Sequence, residues 1–154
     1  MELFMRTFED RVRARRGFAL GLYAEYRVAH LLGATPSEGG TDEVDLTWKV
    51  RGRTKPVRIQ VKSCHRSDAG QSAKFSIAAA KSTISRAGDL WVFARHTGLD
   101  HHIGWEYLVI KASRLRRFGG QKTIAARKLE ELADWVDDSG LKPAVRSIAS
   151  ALRK

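Results

Sequence analysis

Apolar and polar residues alternate most clearly between residues 43 and 63. Val44, Leu46, Trp48 and Val50 are separated by polar positions, Val57, Ile59 and Val61 likewise, and Gly52 and Pro56 lie between the two runs. This period of two predicts a pair of strands joined by a turn. Because strand side chains point alternately to opposite faces, the intervening positions make a second, polar face: Asp45, Thr47 and Lys49 on the first strand, Arg58, Gln60 and Lys62 on the second. Matching the apolar residues across an antiparallel pair sets Leu46 against Val61, Trp48 against Ile59 and Val50 against Val57, so that Asp45 faces Lys62 with Gln60 one step along. A slip of one residue would bury the polar set, which is the costlier arrangement.

Elsewhere the period lengthens. Residues 18–32 have a helical pattern stopped by Gly33 and Pro36, with Phe18, Leu22, Ala29 and Leu32 on one stripe and Glu25 in its remaining slot. A carboxylate there needs either water at the edge of the stripe or a cation nearby. The first sixteen residues combine an apolar edge (Leu3, Phe4, Phe8, Val12) with arginines, as a short amphipathic helix would. Residues 35–42 read as loop, residues 74–79 as a short strand and 81–86 as a turn of helix. Residues 90–96 are apolar on both faces for much of their length and predict a central strand, partnered by residues 103–111. Beyond these the pattern is helical: 113–118, then 122–138 with Ala125, Leu129, Leu132, Trp135 and Val136 inward and a stop before Gly140, then a last helix opened by Pro143. The expectation is one α/β domain over residues 1–154, with a core over about residues 17–111 and a helical C-terminal extension over 112–154.

Charge adds a partner to this picture. Lys and Arg number 28 against 17 Asp and Glu, a net charge of +11 with a pI near 10.3, which points to a polyanion and first of all to DNA. Arg13, Arg15 and Arg16 near the start, and Arg114, Arg116, Arg117 and Lys122 within the basic run 111–128, are the candidate phosphate contacts. RNA is the less favoured partner, since the aromatic-rich signature of the common single-strand RNA sheets is missing. The single cysteine, Cys64, excludes an internal disulfide and a multi-cysteine zinc site and fits a reducing compartment. His101 and His102 are adjacent, so they point apart on a strand or turn, and no zinc site is expected from them. No apolar run is long enough to span a bilayer and the first residues have no signal-like apolar core, so the expected location is intracellular, without a membrane partner.

The polar patch suggests a chemistry. Two carboxylates held close raise each other's pKa, and a divalent cation relieves the conflict. Carboxylate and amide oxygens suit Mg2+, for which Mn2+ can substitute, and Mg2+ commonly takes one or two protein carboxylates together with a phosphate. No side chain of the set is a nucleophile, so water is the expected attacker and a lysine beside it can orient it and offset charge building up on the phosphate.

A helix carrying Glu25, a strand carrying Asp45 in VDL and a strand carrying Gln60, Val61 and Lys62 in IQVKS resemble the PD-(D/E)xK nuclease superfamily, which includes many restriction enzymes, archaeal Holliday-junction resolvases and some intron-encoded homing endonucleases. The resemblance covers about residues 17–111 and implies a restriction-endonuclease-like mixed central sheet flanked by helices. It further implies Asp45 as the metal-binding acid, Gln60 as the third-motif ligand, Lys62 as the catalytic lysine and Glu25 as the helix acid, with Mg2+ held by Glu25, Asp45 and Gln60. Val44 stands where the signature has Pro, and Gln60 replaces the usual Asp or Glu, removing one negative charge. The implied activity is a Mg2+-dependent DNA endonuclease, structure-selective or resembling the resolvases and homing enzymes. The alternative is a catalytically silent DNA-binding module on the same fold. One such site cuts one strand, so cutting both implies a homodimer or larger assembly.

Overall fold

The computed structural model describes residues 19–37, 44–65, 74–77, 81–96 and 104–152. Its centre is a mixed five-stranded sheet in the order β1, β2, β3, β5, β6. Strands β1 (Thr35–Pro36), β2 (Leu46–Trp48) and β3 (Val57–His65) are antiparallel neighbours; β3 runs parallel to β5 (Leu90–His96), and β6 (Trp105–Lys111) closes the far edge antiparallel to β5. The parallel β3–β5 pair requires a crossover, and that connection carries β4 (Lys74–Ser76) and helix α2 (Lys81–Ala87).

The sheet is covered on both faces, giving three layers. On one face Val57, Ile59 and Val61 of β3, Leu90 and Val92 of β5 and Tyr107 and Val109 of β6 are buried against α1 (Ala19–Leu32) and the C-terminal helix α5 (Asp138–Ala151). On the other, Trp91 and Phe93 of β5 and Leu108 and Ile110 of β6 pack on Ile84 of α2, Phe75 of β4 and Leu115 of the short helix α3 (Ala112–Leu115). Burial on both faces explains the continuous apolar run in β5. On β3 that second face carries Arg58, Gln60, Lys62 and Cys64, so the second core meets this strand through Cys64 while the rest of its face is polar.

Several sequence expectations need correction. The β2–β3 register is Leu46 with Ile59, Thr47 with Arg58 and Trp48 with Val57, two residues from the expected pairing. The cause is a wider turn: the Arg53 amide donates to the Val50 carbonyl at 3.1 Å, with Gly52 at a φ of 86° in the third position, where only glycine is comfortable. Because the shift is even, every side chain keeps its face. Residues 35–36, expected as loop, form the edge strand β1.

The expected helix over 122–138 is replaced by strand β7 (Thr123–Ala125), paired antiparallel with β4, and one helical turn, α4 (Ala126–Leu129). Val136 instead bridges to Tyr107, exchanging two backbone hydrogen bonds of 2.8 Å. Helix α5 starts at Asp138, before the expected Pro143, because Asp137 caps it: its carboxylate accepts from the Gly140 amide at 2.8 Å. The Ser139 hydroxyl, and then that amide, hold the Asp137 carboxyl below its ordinary range. Gly140, expected as a stop, sits where a Cβ would lie 2.9 Å from Val136 Cβ; it is there for close packing. The C-terminal segment is therefore part of the sheet's own packing, fastened by Asp138, which accepts from the Tyr107 hydroxyl at 2.7 Å and pairs with Arg27 of α1.

Candidate active site

Asp45 lies one residue before β2, and its carbonyl accepts from the Ser37 amide at 2.9 Å, which fixes the backbone as the chain enters the strand. Its carboxylate accepts from the Val61 amide at 2.8 Å. That amide would otherwise meet a ladder partner, but β2 pairs no further than Leu46 and β3 continues to His65. The carboxylate thus sits in the plane of the sheet, at the middle residue of the Gln60-Val61-Lys62 tripeptide. One step beyond the Leu46–Ile59 pair, Asp45 falls level with Gln60, and the expected position opposite Lys62 is corrected by the same two-residue shift.

Gln60 is the buried polar residue of the described sheet, 7% exposed, and pairs in register with Trp91. Its Oε1 is buried and has no hydrogen-bond partner. An acceptor left this way costs about 1–3 kcal/mol. Lys62, half-buried on the same face, holds its ammonium 5.9 Å from the centre of the Trp91 ring. Trp91 is itself fixed, donating from its indole to the Ile84 carbonyl at 3.2 Å. Asp45, Gln60 and Lys62 are thus brought together around one peptide segment, with Trp91 as the floor, a contributor that sequence reading missed because its apolar strand gave no polar signal.

Glu25 is placed differently. A Cβ built on Gly21 of α1 would lie 3.8 Å from Ser63 Oγ, while the C-terminal end of α1 runs directly into β1, level with Thr47 and Arg58. The helix therefore runs counter to β3. Four helical residues advance about 6 Å, roughly two strand residues, so the backbone of Glu25 is level with Val61. It stands, however, over the face that carries Val57, Ile59 and Val61, opposite the face of Gln60 and Lys62. Helix α1 therefore covers the sheet face opposite that of Gln60 and Lys62, and the Asp45 carboxylate lies past the end of β2, at the edge between the two faces. Glu25 is half-buried, and neither it nor Asp45 is without a bonding or electrostatic neighbour.

The remaining candidates divide. Arg13, Arg15 and Arg16 and the pair His101 and His102 lie outside the described residues. Arg114 donates to the Leu132 carbonyl at 2.9 Å and Arg117 lies 3.8 Å from Glu131, whereas Arg116 and Lys122 are exposed. All four follow β6 in the chain, and the Lys122 carbonyl accepts from the Ile77 amide, just past β4, at 3.1 Å. Burial pushes the Cys64 thiol up to about 11 despite Arg95 nearby, so it is protonated at neutral pH and serves as no nucleophile.

Oxygen donors from Asp45 and Gln60, with Glu25 across the edge, form a set suited to a hard cation such as Mg2+. The orphaned Gln60 Oε1 fits that use, because a ligand oxygen needs a lone pair free of other duties. Among the described residues no group of three or more His, Cys, Asp or Glu side chains is placed to hold a metal, so such an ion would depend on the amide and on water or phosphate oxygens. Among the same residues no helix is long and apolar enough to cross a membrane. The chain matches no protein-family model and no curated protein.

Proposed function

We propose that this protein is a Mg2+-dependent endonuclease hydrolysing DNA phosphodiester bonds, on a core resembling that of the PD-(D/E)xK nucleases with a Q-x-K third motif. One observation carries the reading: the Asp45 carboxylate is bonded to the amide between Gln60 and Lys62, and beside it the Gln60 carbonyl is buried with no partner. The net charge of +11 supports a polyanionic substrate.

In this reading Asp45 and Gln60, together with Glu25, would hold Mg2+. When bound, the ion supplies Lewis-acid polarisation of a phosphodiester oxygen and neutralises charge that develops in the transition state. The protein's own groups do the rest. The Val61 amide keeps one lone pair of Asp45 occupied and so fixes the direction of the other oxygen. Trp91 limits where the Lys62 side chain can lie, and the ammonium orients the attacking water and offsets charge on the phosphate. A single site of this kind cuts one strand, so a cut duplex or a symmetrically resolved junction calls for a homodimer or larger assembly.

Gln60 also favours a second reading, a DNA-binding module that keeps the fold without cutting, since a neutral ligand weakens the hold on a cation. Plasmid nicking separates the two. Purified protein is expected to convert supercoiled DNA to the open circle with Mg2+ or Mn2+ and not in EDTA. Binding without nicking on supercoiled, linear and branched DNA, with either ion, leaves the binding module as the function.

A further inference from the structure

The turn between β2 and β3 is far more basic than its neighbours. From Leu46 to Ser67 the sequence contains seven Lys and Arg and no Asp or Glu. Two of these cations are committed to structure. Arg53 donates to the Ala149 and Leu152 carbonyls, at 3.5 and 3.4 Å, at the end of α5. Arg58 donates to Ser85 and Arg86 carbonyls at the end of α2 and pairs with Asp89 at 2.9 Å. Each arginine sits where a helix C-terminus favours positive charge, and together they tie the hairpin to two helices. Lys49, Arg51 and Lys55 are exposed, and among the described residues they make no ion pair. The hairpin is thus a pinned element presenting three uncommitted charges. A cleft of about 720 Å3 runs along it, lined by Thr47, Lys55 and Arg58, on the face that Gln60 and Lys62 share.

We infer that this hairpin is a phosphate-gripping finger that holds the backbone of duplex DNA to one side of the reacting phosphate. Lys49 is four residues from Asp45, about 13 Å along an extended chain. At roughly 3.4 Å of axis per phosphate on one strand, its charge meets the backbone about four nucleotides from the position that Asp45 addresses. The gripping role rests on the three free charges; the offset rests on the proposed role of Asp45 and Lys62. A membrane surface is disfavoured because no large apolar side chain is exposed on the hairpin: among the described residues Tyr23, on α1, is the exposed one.

The test is the salt dependence of duplex binding in EDTA, where no cutting occurs. Replacing Lys49, Arg51 and Lys55 together by Ala is expected to reduce the slope of log affinity against log salt by about 2.7, near 0.9 for each lost contact. The charge-keeping variant Lys49→Arg, Arg51→Lys, Lys55→Arg is expected to retain the slope. A reduction smaller than one, or an equal loss in the charge-keeping variant, overturns the inference. So does equal, charge-dependent binding to vesicles of anionic lipid. Since every arm is read without metal, failure of the finger leaves nicking untouched, and failure of nicking leaves the slope untouched.

Discussion

Lys62→Ala is expected to lower Mg2+-dependent nicking by about 100- to 1000-fold, the usual cost of removing one group that stabilises charge only in the transition state. Affinity for DNA in EDTA is expected to fall less than about tenfold, because a single cation is lost from a strongly basic chain. The side chain also covers part of Trp91, so truncation alters packing as well as charge. Lys62→Met keeps the aliphatic stem over the indole and removes only the ammonium. If nicking in Lys62→Met stays near that of the wild type, the lysine is a surface charge and has no part in catalysis.

Gln60→Glu is expected to have opposite effects on the free and the metal-loaded protein. The position is 7% exposed and beside Asp45, so desolvation and a like charge both disfavour a carboxylate there and raise its folded-state pKa. A raised carboxyl pKa costs nothing below the unfolded value, where both states are protonated. The penalty grows as pH rises through the interval between the unfolded and folded values, and is complete above it. At pH 8 without metal the variant is therefore less stable than the wild type, by on the order of 1–3 kcal/mol, and near pH 4 the deficit closes. Mg2+ offsets the added charge, so millimolar Mg2+ is expected to raise the thermal midpoint of Gln60→Glu more than that of the wild type. The Mg2+ concentration for half-maximal nicking should drop on the order of tenfold, since ligand charge sets affinity for hard cations. Nicking by Gln60→Glu from an inactive parent would identify the parent as the silent binding module. A metal-independent stability in both proteins removes Gln60 from the site altogether.

The legible parts of this fold were those whose pattern is local. The position of β5 follows from the apolar run LWVFA that opens it, and α1 from its helical period up to Gly33. The faces of Gln60 and Lys62 were readable because alternation is local too. What the sequence could not supply were partners from a distance. Thr123 to Ala125 is a strand because Phe75 and its neighbours supply a ladder some fifty residues away, and the helical spacing of Leu129 and Leu132 concealed it. The register of β2 and β3 depended on whether Val50 stayed in the strand or opened a turn, a choice made by Gly52. Gly140 and Pro143 looked like punctuation, yet Asp137 supplied the cap and Val136 the contact that requires glycine. For the site, the sequence brought Asp45 to the Gln60 strand but not the face of α1: a helix stripe says which residues face inward, and nothing about which side of a sheet the helix takes.

The central claim is that Asp45 and Gln60 share a hard cation at the open edge of β3. A crystal of the protein soaked in Mn2+, with anomalous differences collected, locates such an ion directly. Density within roughly 2.3 Å of both the Asp45 carboxylate and Gln60 Oε1 is the expected result. An ion bound elsewhere, or a Gln60 Oε1 still unliganded at saturating Mn2+, contradicts it.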